Sequence, residues 1–171
     1  MNLIELIKKR HSVRDYKKDP VTDEILKQIL EAGRLAPTGA NRQPQRLIVV
    51  REKTGLDKIK KAANAYDAPL VIIVCGDHNV VWKRHFDGKQ ITDIDASIVT
   101  HHMMLAATEL GLGSVWICHF KPDVIRTEFN LPDHIEPVNI LAIGYENEQL
   151  GNSRPRTTRK PIEETVFYET F

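Results

Sequence analysis

Leu70-Val71-Ile72-Ile73-Val74-Cys75 is an unbroken apolar run. It is far too short to span a bilayer, lacks the polar alternation of a half-exposed strand, and is rich in β-branched residues, so it reads as a central strand covered on both faces. Three further strand-like runs surround it: Leu47-Ile48-Val49-Val50 before, and Ser114-Val115-Trp116-Ile117-Cys118 and Val138 to Gly144 after.

Helical spacing fills the gaps. Leu3, Ile4, Leu6 and Ile7 predict a short amphipathic helix ending near Lys9 or Arg10. Thr22 is the expected N-cap of a second helix, with Asp23 and Glu24 favouring the positive end of its dipole and Ile25, Leu26, Ile29, Leu30 and Ala32 as its buried face; Gly33 suggests close packing. A short helix is expected from about Thr54 to Ala65, and another from Pro122 to Phe129 with the proline in its first turn. Thr92 should cap the longest helix, with Asp95 reaching back in a variant of the capping box. Ala96, Ile98, Val99, Met103, Leu105, Ala106, Ala107 and Leu110 cover most of that helix's circumference, making it a buried spine, and Gly111 stands where a left-handed cap ends it. His78 to Gln90 is a polar excursion, either partly helical or with a binding role. After Tyr145 the pattern stops. Glu146 to Pro161 is polar, yet Val166, Phe167, Tyr168 and Phe171 are apolar, which suits an extended arm docking at its tip, on another subunit.

Composition narrows the function. The 171 residues, 42% hydrophobic and 27% charged, fit one ordinary globular domain with no apolar run long enough for a membrane. The lysines of the N-terminal stretch follow its apolar residues and Glu5 interrupts it, unlike a signal peptide, so a cytoplasmic protein is expected. Cys75 and Cys118, both in apolar runs, read as buried or shielded thiols in a reducing compartment. A net charge of +1 provides no field for gathering nucleic acid, so any anion site must be local.

Two local clusters stand out. Arg10-His11-Ser12-Val13-Arg14 follows the first helix, and Arg154-Pro155-Arg156 with Arg159-Lys160 lies near the other end. Planar guanidiniums bind phosphate bidentately, so a fold that joined the two ends would cradle one phosphate-bearing ligand. Ala36-Pro37-Thr38-Gly39-Ala40-Asn41-Arg42-Gln43-Pro44-Gln45 is an amide-rich loop without period. Hydrolytic and metal signatures are missing: there is no G-x-S-x-G, H-E-x-x-H or C-x-x-C. His101 and His102, adjacent on a helix, point about 100° apart and cannot chelate one metal; one of them is expected to face the core. Gly111-Leu112-Gly113 follows a helix rather than opening one, which disfavours a dinucleotide fingerprint. Apolar neighbours argue against Cys118 as a nucleophile. Phosphate-binding groups without acid-base machinery suit an enzyme whose chemistry resides in its cofactor.

These motifs, in this order from about Ile4 to the C-terminus, resemble the FMN-dependent nitroreductase family in its shorter form. The resemblance implies an α+β fold with a mostly antiparallel central sheet flanked by helices, one FMN-binding domain over residues 1–171, and a homodimer with two FMN sites whose C-terminal arms (146–171) are exchanged between subunits. Carried over by position, Arg10 and Ser12 resemble phosphate and ribityl contacts, with His11 between them, Arg159 a phosphate ligand and Arg156 a second one. Arg14 matches a basic residue beside the flavin pyrimidine. Pro37, Thr38, Gly39, Asn41 and Gln43 match the loop that reaches the flavin from the partner chain, and Trp116, Ile117, Cys118 and His119 fall where the family lines one flavin face. Better known, longer members carry an acidic residue and a glycine at the last two places, so substrate preference can differ. The implied reaction is ping-pong: hydride passes from NAD(P)H to flavin N5, then to a small oxidised acceptor such as a nitroaromatic or quinone. A non-catalytic flavin carrier, or a member with a dedicated reaction such as reductive dehalogenation, shares every motif. A nucleic-acid module, resting on the arginines alone, lacks a basic face interleaved with aromatics.

Overall fold

The computed structural model describes residues 2–147 and 159–171. Its centre is the apolar run, extended into strand β2 (Leu70–Asp77), every residue of which is buried. Strand alternation sends Val71, Ile73 and Cys75 to one face and Leu70, Ile72 and Val74 to the other, so β2 feeds two separate cores. Strand β1 (Gln45–Val50) pairs with it antiparallel on one side, Ile48 opposite Ile73. On its other side lies β4 (Ile135–Gly144), with Ile140 opposite Ile73, and beyond that β3 (Gly113–Ile117), with Val115 opposite Ala142. The sheet is thus antiparallel throughout, in the order β1-β2-β4-β3. Strand β4 starts earlier than its apolar pattern suggests. Its register jumps from Asn139 opposite Val74 to Pro137 opposite Cys75, and this bulge lets a residue without an N–H sit inside the ladder.

Helices cover both faces. Ile59 and Ala62 of α3 (Lys53–Ala62) and Ile125 of α5 (Pro122–Glu128) close one core; Ile29 of α2 (Asp23–Arg34) with Val99, Met103 and Ala107 of α4 (Thr92–Glu109) closes the other. Each fully buried Ile or Leu contributes on the order of 2 kcal/mol, so most of the stability resides in this helix–sheet–helix sandwich. Gly33 packs as expected: a Cβ there would lie 2.9 Å from Met103 Cγ. Thr22 caps α2 by accepting the N–H of Ile25, and the end of α4 is a Schellman cap, Leu112 N–H to Ala107 O at 2.8 Å and Gly111 at φ 81°.

Some expectations are corrected. Ile91, not Thr92, is the N-cap of α4, and the Asp95 carboxylate is directed away from its own helix end. The 78–90 excursion is irregular, with a single isolated bridge, Lys83 to Gln90. His101 is exposed and His102 half-buried, so neither points into the core. The first two residues of the expected arm, Glu146 and Asn147, pair with Tyr16 and Asp15. No helix among the described residues is long and apolar enough to cross a membrane.

After α1 (Leu3–Lys9), capped reciprocally by Asn2 and Glu5, the chain runs beside β3. Val13 N–H donates to Ser114 O at 3.0 Å, Lys17 N–H to Tyr145 O at 2.8 Å, and the buried Tyr16 hydroxyl to Val13 O at 2.8 Å. Val13, 3% exposed, is the peg, and it fits because residue 113 has no side chain: a Cβ on Gly113 would meet Val13 Cγ2 at 2.6 Å. Gly113→Ala should therefore cost about 1–3 kcal/mol of overpacking and loosen residues 10–16. Urea denaturation measures the loss; a change below about 0.5 kcal/mol, the range of ordinary surface substitutions, would contradict the fit.

Candidate functional site

The peg delivers Arg10, the C-cap of α1, to the edge of the sheet. Its half-buried guanidinium is held below its ordinary pKa, first by burial and then by the charge of Arg159. His101 on α4 is likewise lowered, by burial, by His102 and by Arg10. Basic groups from the two ends of the chain and the middle of the spine helix thus converge. Their mutual repulsion in a partly desolvated place is the property an anion would relieve. His11 beside them is engaged within the chain: Nε2 lies 3.0 Å from the Glu146 carboxylate and Nδ1 3.1 Å from Lys9 O. A cavity of about 230 Å³ under this turn is lined by Lys9, Arg10, His11, Lys17, Gly111 and Glu146. Ser12 and Arg14 are exposed, and Arg14 lies 5.9 Å over the Tyr66 ring.

At the other end of β3 the side chains separate by strand alternation. Trp116 packs towards α4 with its Nε1 buried and without a partner among the described residues, while Ile117 enters the opposite core. The strand ends there, so Cys118 and His119 lie in the open. The expected shielding of Cys118 fails because the apolar run outlasts the sheet by one residue. From Ser114 to Cys118 is about 14 Å of extended chain, giving an elongated edge with cations at one end and Trp116 to His119 at the other.

The amide-rich loop lies elsewhere. It forms a 3-10 turn, Gly39–Asn41, closed by the Thr38 hydroxyl accepting Gln43 N–H at 3.0 Å, with Ala40, Asn41 and Gln43 left-handed at φ 47°, 53° and 50°. Such residues cost about 1–2 kcal/mol each, so the surroundings must hold them. Pro37, Asn41 and Gln43 are exposed. The loop leads into β1, whereas Arg10 to Arg14 border β3, the opposite edge, three strand spacings or about 14 Å away. One chain therefore lines up Arg10, Ser12 and Arg14 with Trp116 to His119 along one edge, brings the charge of Arg159 to bear on Arg10, and keeps Pro37 to Gln43 apart. Arg156, with its neighbours Arg154 and Thr157, lies outside the described residues.

Sequence reasoning weighed His101 and His102 only as a metal pair, which it rejected, or as a core histidine, and so missed the link between His101 and Arg10; it read Glu146 as the start of an arm and missed its contact with His11. It also missed the hold on the loop, Gly39 N–H to Asp95 Oδ1 at 2.9 Å. An acidic residue among the apolar positions of a spine helix was the available signal for Asp95, and the capping-box reading absorbed it.

Comparison with known proteins gives one consistent result. The model of the nitroreductase family matches residues 7–65 and 58–145. A solved structure of a nitroreductase family protein from Clostridium difficile 630 is 57% identical, with a TM-score of 0.93 over 100% of both chains. An FMN-dependent nitroreductase from Clostridium difficile R20291 is 28% identical, with a TM-score of 0.80 over 99% of this chain and 100% of that one. A Methanothermobacter thermautotrophicus protein, provisionally named an NADH dehydrogenase/NAD(P)H nitroreductase, is 34% identical over 88% of this chain and 81% of its own.

The two thiols provide a direct check of the edge. Cys75 is buried and its pKa is pushed up to about 12, so it stays protonated at pH 8, whereas Cys118 is exposed. A thiol reagent applied at pH 8 to cofactor-free protein should label one cysteine quickly, Cys118→Ser should abolish that phase, and Cys75 should label only on unfolding. Fast labelling of both thiols, or of neither, would contradict this placement.

Proposed function

The chain belongs to the nitroreductase family, and from that membership we propose that it is an FMN-dependent oxidoreductase that takes electrons from NAD(P)H and delivers them to a small oxidised acceptor. The observation that supports the reading is Arg10, a half-buried guanidinium whose pKa is lowered by burial and then by the charge of Arg159 from the opposite end of the chain, a setting in which a phosphate would favour the charged form. The residues fit FMN on that ground. Arg10 and Arg159 would hold the phosphate, Ser12 the ribityl chain, and Trp116, Ile117 and Cys118 would line a face of the ring, Ile117 through its backbone because its side chain lies in the core. Bound FMN supplies the two-electron exchange between the nicotinamide and an acceptor such as a nitroaromatic or quinone.

The chain's own residues then perform two tasks. Arg14, exposed beside the edge, places positive charge near the flavin pyrimidine, where preorganised charge favours the reduced, more negative ring. Pro37, Thr38, Gly39, Asn41 and Gln43 complete the site from a second copy, since their own edge is the wrong one. A homodimer also accounts for the apolar surface of α1, where Leu3 and Ile4 are 61% and 59% exposed, and for the tail, where Phe167 and Phe171 stack on each other at 4.4 Å while Phe171 and Tyr168 stay open to solvent. An arm that crosses to the partner would bury them. Cys118 and His119 stand at the acceptor end, and we assign acceptor preference to them.

The visible spectrum of the purified protein tests the reading: a flavin spectrum, with FMN as the released chromophore, is expected, and a colourless protein that ignores added FMN would refute it. Arg10→Ala removes a charge-assisted contact worth about 1.5–3 kcal/mol and should weaken FMN binding by about 10- to 150-fold, read by flavin fluorescence; a variant that purifies fully yellow would sink the assignment. Arg14→Ala should leave FMN bound but lower its reduction potential, read by dye equilibration, and an unchanged potential would count against its role.

A further inference from the structure

We propose that Asp95 is a positioning residue of the cofactor site: its buried carboxylate, on the first turn of α4, holds the 38–43 loop in the left-handed conformation that presents Asn41 and Gln43 to the flavin of a second copy. The inference rests on the reading of that loop given above.

Asp95 is 1% exposed, yet it neither caps its own helix nor meets a cation among the described residues. Its Oδ1 accepts the N–H of Gly39 at 2.9 Å. Its Oδ2, like the Thr92 hydroxyl on the same turn, is buried without a partner among the described residues. The Gly39 N–H is therefore the hydrogen bond that compensates a carboxylate removed from water, and burial pushes the Asp95 carboxyl up while this bond pulls it down. An acidic group retained there at such a cost needs a purpose beyond packing, and its only described partner is the flavin loop.

The loop has few other holds. Its 3-10 turn is closed from within by the Thr38 hydroxyl, and Ala40, Asn41 and Gln43 are exposed. Gly39 is also where the loop passes beneath the excursion, since a Cβ there would stand 2.4 Å from Ile91 Cδ1 and 3.0 Å from Trp82 Cβ. Excursion, loop and α4 thus meet at one backbone amide, and Asp95 fixes it. With that bond lost, the left-handed residues would relax to ordinary backbone angles and the amide side chains would no longer be preorganised.

Two near-isosteric variants separate the hydrogen bond from the charge. Asp95→Asn keeps an acceptor for Gly39; Asp95→Leu does not. FMN added to cofactor-free protein should bind Asp95→Leu at least tenfold more weakly than wild type and Asp95→Asn within threefold of it. In NADH-driven turnover the FMN needed for half-maximal rate should rise in Asp95→Leu while the rate at saturating FMN is unchanged, a split that general loss of structure would not give. Hydrogen exchange of wild-type protein without FMN supplies a measurement that needs no variant: the Gly39 amide should be protected although its neighbours are exposed. Asp95→Leu binding FMN like wild type, equal defects in both variants, or rapid exchange at Gly39 would overturn the inference alone. Wild-type protein that binds no FMN would overturn the reading of the site as well.

Discussion

The Arg10 guanidinium is half-buried and feels the charge of Arg159, and both conditions disfavour its charged form. The fold spends its N-terminal segment on creating that situation: α1 ends at Arg10, Val13 pegs the chain into the space left by Gly113, and Tyr16 ties it to β4 through the Ala142 and Val13 carbonyls. From the far end the charge of Arg159 acts on the same guanidinium. Coulomb repulsion between like charges is modest where water screens it and grows as water is excluded, so a bound phosphate would stabilise the half-buried Arg10 most. Everything proposed for the site follows from that positive charge and from the edge strand beside it.

The proposed dimer takes its logic from the sheet. In the order β1-β2-β4-β3 the loop before β1 and the motif beside β3 occupy opposite edges. Two copies related by a two-fold axis would bring the β1 loop of one to the β3 edge of the other, forming two equivalent sites, which is the common outcome for isologous dimers. The exposed leucine and isoleucines of α1 and the aromatic tail are the surfaces such an assembly would cover.

Much of this was legible before the fold was known, and the limits are instructive. The run at Leu70 declared itself a central strand because it is apolar on both alternations, and the structure divides those alternations between two cores. Thr22 and Gly111 were readable because caps obey local rules. Pro137 hid the first turn of β4, since a proline normally argues against a central strand and only the bulge admits it. Cys118 was misjudged because apolar neighbours in sequence need not be neighbours in space. Asp95 was misassigned because a local rule fitted it, while its true partner, Gly39, is remote in sequence and contributes a backbone N–H, which no side-chain pattern records. That Arg10 and Arg159 share a ligand rests on the family resemblance, and the structure adds that the charge of Arg159 reaches Arg10.

The central claim is that the paired arginines exist for a phosphate, and a ligand pair that differs in that group alone tests it. Isothermal titration of cofactor-free protein at low salt should show FMN binding at least 100-fold more tightly than riboflavin, a difference of about 2.8 kcal/mol at tenfold per 1.4 kcal/mol. Equal affinity for the two would mean that the cluster at Arg10 does not hold the phosphate, and the account of the site would fall.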